Sequence, residues 1–212
     1  MKPLTVLYPQ HCLVCRKLIA EQDHGLCASC RAMTKAEMCS LVYKTPDHVD
    51  RLVCAVRYSG GFRRAITNFK FHQQRAYAKP LAELMIQAWD MHGMHQPNII
   101  TYVPISTFRA YTRGFNQSKE LANLLAEAWN IPVVSTLRRK NFSRRQSELC
   151  AKDRWKNAEK AFFPCSNIDL HGKTVLLIDD IVTTGATINS CSVHLKQMGA
   201  HTVWVLAAAK TC

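Results

Sequence analysis

Nowhere in the 212 residues do apolar side chains run on for the roughly 18 positions that a membrane-spanning helix needs. Leu4 to Tyr8 is too short for the apolar centre of a signal peptide. Together these absences predict a cytoplasmic protein in a reducing compartment, where disulfides do not persist. Acidic residues are scarce as well. The chain carries 15 Asp and Glu against 28 Lys and Arg, a formal net charge of +13. Such an excess favours polyanionic partners, either nucleic acid or polyphosphate ligands, and says nothing about fold. A chain of this length can bury a full core, so one main domain with a small appendage is expected.

Cysteine, by contrast, is plentiful, with ten residues. Four of them stand as Cys12-x2-Cys15-x11-Cys27-x2-Cys30. Each pair has the spacing with which a tight turn aims two thiolates at one ion, and two such pairs fill the tetrahedral shell of Zn2+. The expected site is structural and closed rather than catalytic. His11 and His24 lie nearby, but four sulfurs suffice and both histidines read as surface residues. Cys39, Cys54, Cys150, Cys165, Cys191 and Cys212 lack pair spacing and read as small apolar fillers or exposed thiols. The turn Thr45-Pro46-Asp47 predicts the boundary between a zinc-binding module over residues 1–45 and a larger domain over 46–212.

The larger domain alternates strand and helix patterns. Arg51 to Tyr58 reads as a strand, with helices over Phe62–Phe71 and Pro80–Trp89. Lys70 between Phe69 and Phe71, with Arg63, Arg64 and Arg75 close by, makes a cationic, aromatic patch of the kind that stacks bases and tracks phosphates. Asn98 to Val103 is the next strand, stopped by Pro104. A loop with Ser106, Arg109 and Arg113 follows, then a helix over Asn116–Trp129 that Asn116 can cap. Arginines beside a helix start describe an anion site. Ile131–Val134 reads as a short strand. Leu137–Asp169, which includes Arg144 and Arg145, reads as a basic, solvated, mobile segment.

The most informative stretch is 174–188. Val175 to Ile178 is a β-branched apolar run, read as a strand buried on both faces. Asp179 and Asp180 follow where the strand is expected to emerge, then a turn of Thr183, Thr184 and Gly185, then a helix over Ala186–Gly199 and a last strand over Thr202–Ala208. Gly185 permits positive φ, and the N–H groups of turn and helix start converge on one point that a phosphate can occupy. The acceptor-only carboxylates suit sugar hydroxyls or a divalent cation. Strands and helices in this order predict a parallel sheet with right-handed crossovers and a site at the strands' C-terminal ends.

An apolar strand, two acids and a Thr/Gly loop resemble the ribose-phosphate site of type I phosphoribosyltransferases. The resemblance implies an α/β fold with a parallel sheet flanked by helices, beside the small four-cysteine knuckle. It implies that Asp179 and Asp180 hold the ribose hydroxyls of phosphoribosyl pyrophosphate (PRPP), while Thr183, Thr184, Gly185, Ala186 and Thr187 wrap its 5′-phosphate. Ser106, Arg109 and Arg113 would take the pyrophosphate, with Mg2+ accompanying PRPP. Arg113-Gly114-Phe115-Asn116-Gln117 downstream of Val103-Pro104, joined to the knuckle and the acid pair, resembles the ComF/GntX group of phosphoribosyltransferase-like proteins. That resemblance implies a competence factor for DNA uptake in natural transformation, with single-stranded DNA and other competence proteins as partners. Lys70, Arg75, Arg144 and Arg145 would be its nucleic-acid contacts. The alternative is a phosphoribosyltransferase acting on a nitrogenous acceptor that these residues do not specify.

Overall fold

The computed structural model describes residues 10–20, 23, 25–38, 45–71, 75–140, 161–165 and 168–211. Four parallel strands form its centre: β3 (Arg51–Arg57), β4 (Ile99–Tyr102), β7 (Thr174–Val182) and β8 (Thr202–Lys210), in the spatial order β3-β8-β7-β4. β7 and β8 are central and apolar almost throughout, because each face of the sheet is covered. Leu176, Ile178 and Leu206 pack on one side with helices α2 (Gly60–Phe71), α3 (Ala78–Met91) and α5 (Gln117–Trp129). Val175, Leu177, Val203 and Val205 pack on the other with α6 (Ala186–Gln197). Period-two alternation along a strand thus feeds two separate apolar clusters.

Two small antiparallel pairs complete the strands. β1 (Gln10–His11) pairs with β2 (Leu18–Ile19), and β5 (Leu137–Arg139) with β6 (Phe162–Pro164). The knuckle that β1 and β2 open continues into helix α1 (Ala28–Met38). It does not have a core of its own. Cys12, Leu13, Leu26 and Cys30 belong to the same apolar cluster as Phe62, Phe69, Leu81 and Met85. Contact is backbone-close at two glycines: a Cβ on Gly61 would collide with the Val14 backbone, and one on Gly25 with the Pro80 ring. No helix among the described residues is long and apolar enough to cross a membrane.

Four expectations change. Ile131–Val134 is not a strand but touches the sheet by a single bridge, Val133 to Ile100; Pro132 has no N–H to continue a ladder. The loop after Pro104 contains a helix, α4 (Thr107–Arg113). Ser106 caps it by accepting from Arg109 N, and Gly114 at φ +72° ends it. The basic segment 137–169 is anchored at both ends, where Leu137, Ala161 and Phe162 are buried; its middle, with Arg144 and Arg145, lies outside the described residues. Finally, β7 does not stop at Ile178. It runs to Val182, because β8 accompanies it as far as Lys210 and the ladder has a partner throughout.

Candidate functional site

The longer β7 places Asp179 and Asp180 inside the sheet's C-terminal margin, with Asp179 opposite Ala207. Ala207, Ala208 and Ala209 on β8 are all buried, and their small side chains leave room for two carboxylates beside them. Both acids are 7% exposed. Asp179 Oδ1 accepts from Ser118 Oγ at 3.2 Å and from the Asp180 N–H at 2.9 Å. Asp180 Oδ1 lies 2.9 Å from Lys70 Nζ. Burial first, and the neighbouring Asp180 second, push the Asp179 carboxyl up to about 7; Lys70 and the two hydrogen bonds oppose the rise without cancelling it.

The two side-chain partners come from different helices. Lys70 closes the last turn of α2. Ser118 stands in the first turn of α5, which Asn116 caps by accepting from Ser118 N and Lys119 N. The Asn116 amide also donates to Val103 O, tying that cap to the end of β4. Gln117 completes the frame. Its Nε2 donates to Lys70 O at 3.4 Å, and its Oε1 accepts from Arg113 Nη1 at 3.4 Å. Arg113 is half-buried. Its guanidinium is disfavoured by burial and by Arg109, and favoured by Asp180. Arg139 on β5, stacked at 5.2 Å over the Phe162 ring, is likewise disfavoured by burial and by Arg109 and favoured by Asp179. Arg113 and Arg139 thus each lie within electrostatic reach of one acid of the pair and of Arg109, a positive grouping that a polyanion would neutralise.

The loop after β7 forms the other wall. Thr183 and Thr184 are exposed, whereas Gly185 and Ala186 are buried. Gly185 takes φ +85° at the entry to α6, where a Cβ would stand 2.9 Å from Pro46 Cγ. Only glycine fits both the backbone conformation and the space. Lys210 Nζ donates to Thr183 O and Thr184 Oγ1 accepts from Ala186 N. Thr187 is half-buried in the first turn of α6. The residues Thr183 to Thr187 are thus one turn plus one helix start, with the geometry that presents backbone N–H groups to an anion.

At the opposite pole, the Sγ atoms of Cys12, Cys15, Cys27 and Cys30 lie within 4.8 Å of one another, and Cys15 and Cys27 are 3.7 Å apart. Four sulfurs at about 2.3 Å from one Zn2+ stand about 3.8 Å apart, so the cage fits the ion. For Cys12, burial works against the thiolate. N–H donors of the Cys15, Cys27 and Val14 backbone outweigh it and hold the thiol down to about 6. Those donors are the outer shell that a thiolate ligand needs. His11 is exposed, and His24 lies outside the described residues.

Comparison with known proteins bears on the zinc end and on the family. Residues 3–55 match the family model of the double zinc ribbon domain. Competence protein F of Haemophilus influenzae is 30% identical over 221 residues, covering 93% of this chain and 96% of that protein. The chain belongs to the competence protein F family. DNA utilization protein YhgH of Salmonella typhimurium is 27% identical over 227 residues, 96% of this chain and 98% of that protein. Among solved structures, glutamine PRPP amidotransferase from B. subtilis is similar, with 17% identity and TM-score 0.46, over 74% of this chain and 31% of that chain. The α/β parallel sheet and the N-terminal four-cysteine zinc site are those expected of this family.

Sequence reasoning did not pair Lys70 with Asp180. It set Lys70 on a nucleic-acid surface, whereas the side chain is 19% exposed and ion-paired at the acid pair. Ser118 and the closeness of Arg139 to the acids were missed too. Arg75 is exposed, with its guanidinium 5.1 Å from the centre of the Phe115 ring. The unpaired cysteines behave as expected where described: Cys54 and Cys191 are buried and Cys165 half-buried.

Proposed function

We propose that this protein handles incoming single-stranded DNA in the cytoplasm during natural transformation, and that PRPP binds at its acid pair. The observation that carries the PRPP reading is the placement of Asp179 and Asp180, buried and consecutive, just before a Thr/Gly turn and within electrostatic reach of Arg139 and Arg113. The DNA reading is supported by the names of the relatives, a competence protein and a DNA utilization protein, and by the net charge of +13. In this reading residues 1–45 are the zinc module and 46–212 the PRPP-binding domain.

The roles follow from the donor types. Asp179 and Asp180 accept from the ribose hydroxyls, with Lys70 holding Asp180 in place beforehand. Thr183, Thr184, Gly185, Ala186 and Thr187 receive the 5′-phosphate at the start of α6. Arg109, Arg113 and Arg139, with Ser106 at the head of α4, face the pyrophosphate. The hard oxygens of the acid pair fit a divalent cation, and Mg2+ arriving with PRPP would neutralise part of the phosphate charge. Nucleic-acid contacts are assigned to Arg75 and, outside the described residues, Arg144 and Arg145; Lys70 reaches DNA only by leaving Asp180.

The second reading, a phosphoribosyltransferase, uses the same residues to displace pyrophosphate from the anomeric carbon by an acceptor nitrogen. Pyrophosphate release separates the two. Release that rises in proportion to an added nitrogenous base supports the transferase. Binding of PRPP with no release above background, joined to binding of single-stranded DNA, supports the competence reading.

A further inference from the structure

Helix α4 carries two large aromatic side chains in water. Phe108 is 59% and Tyr111 90% exposed, and they are the exposed aromatic residues among those described. Three residues apart on a helix, they lie side by side on one face. Arg109 and Arg113, four apart, make the neighbouring face, and Arg113 lies within electrostatic reach of Asp180. The surrounding sequence has no acid at all: between Asp90 and Glu120 the charged side chains are Arg109, Arg113 and Lys119. Arg139, which β5 brings within electrostatic reach of Arg109, adds to the same field.

We propose that the Phe108 and Tyr111 face of α4 is a stacking platform for the unpaired bases of single-stranded DNA, a surface that rests on the DNA-handling reading above. Two exposed rings side by side offer an apolar surface that a partner can cover. The charge around them selects the occupant. An aromatic pair beside Arg109 and Arg113, on a helix that carries no acid of its own, suits a strand whose backbone is anionic and whose bases present π-faces. A duplex hides those faces in its own stack, so the platform selects single strands. Ser106 and Gly114 fix both ends of α4, which holds the two rings in place before the strand arrives.

The test is fluorescence anisotropy of a labelled oligothymidylate, and of a duplex of equal length, with the full-length zinc-loaded protein. Phe108→Ala/Tyr111→Ala should weaken single-strand binding about tenfold to a hundredfold, as loss of one or two stacked bases does. The slope of log affinity against log salt should stay as in wild type, because no phosphate contact is removed. Tyr111→Phe, which keeps the ring, should bind like wild type. A double variant that melts like wild type and binds single strands equally well overturns the platform and leaves the DNA reading standing, and so does a Tyr111→Phe loss equal to that of the double variant. Wild type that binds neither oligonucleotide overturns the DNA reading, and the platform with it.

Discussion

Asp179 is held against the interest of the fold. Asp179 is pushed up to about 7 from an ordinary value of 3.8, by burial and then by Asp180. Between these two values the native state binds more protons than the unfolded chain, so stability falls as pH rises through that window. The penalty is complete above about pH 7. Asp179→Asn keeps an oxygen that can accept from Ser118 and from the Asp180 N–H. It should therefore melt above wild type at pH 8, with the difference vanishing as pH falls toward 4. Each kcal/mol released is worth ~2–4 °C in a protein of this size, which scanning calorimetry resolves. Lys70→Met acts the other way. It strips Asp180 of its counter-charge and should destabilise by roughly 2–4 kcal/mol at neutral pH, measured by urea unfolding. The acids, threonines and glycine of this site were legible because they are consecutive in the chain. Lys70, 110 positions before Asp180 (180 − 70), left no local trace.

At the scale of elements, α2 joins the two poles of the molecule. Its first turn lies against the zinc knuckle, where Arg64 Nη2 donates to Val14 O at 3.0 Å and Gly61 touches the Val14 backbone. Its last turn supplies Lys70 to Asp180. Gly61→Ala should force the knuckle off α2 and cost about 1–3 kcal/mol. Urea unfolding would measure that cost, and zinc release to a colorimetric chelator should be faster than from wild type. Zinc release at the wild-type rate would show that the knuckle does not need this contact. The order of strands and helices was readable from apolar runs and caps, including the Asn116 cap. The extension of β7 past Ile178 and the shortfall at Pro132 were not, because both depend on whether a neighbouring strand has a hydrogen bond to offer. Helix α4 did carry local signals, a serine at its head and a glycine at its end; the arginines between them drew the reading toward a loop.

For the whole molecule, the net charge of +13 is a statement about partners. Single-stranded DNA binding through several phosphates should weaken steeply with salt, with a slope of about −0.7 for each phosphate neutralised. A flat response would leave the positive charge without that partner. Composition carries the positive excess but not where it gathers: Arg109, Arg113 and Arg139 come within electrostatic reach of one another only through the packing of α4 and β5.

The central claim is that the acid pair is a PRPP site, and titration calorimetry of Mg-PRPP into wild type and into Asp179→Asn/Asp180→Asn tests it most directly. Heat of binding to wild type, and none to a double variant whose melting transition stays cooperative, is the predicted result. A double variant that binds as tightly as wild type, or a wild-type protein that gives no heat, contradicts it.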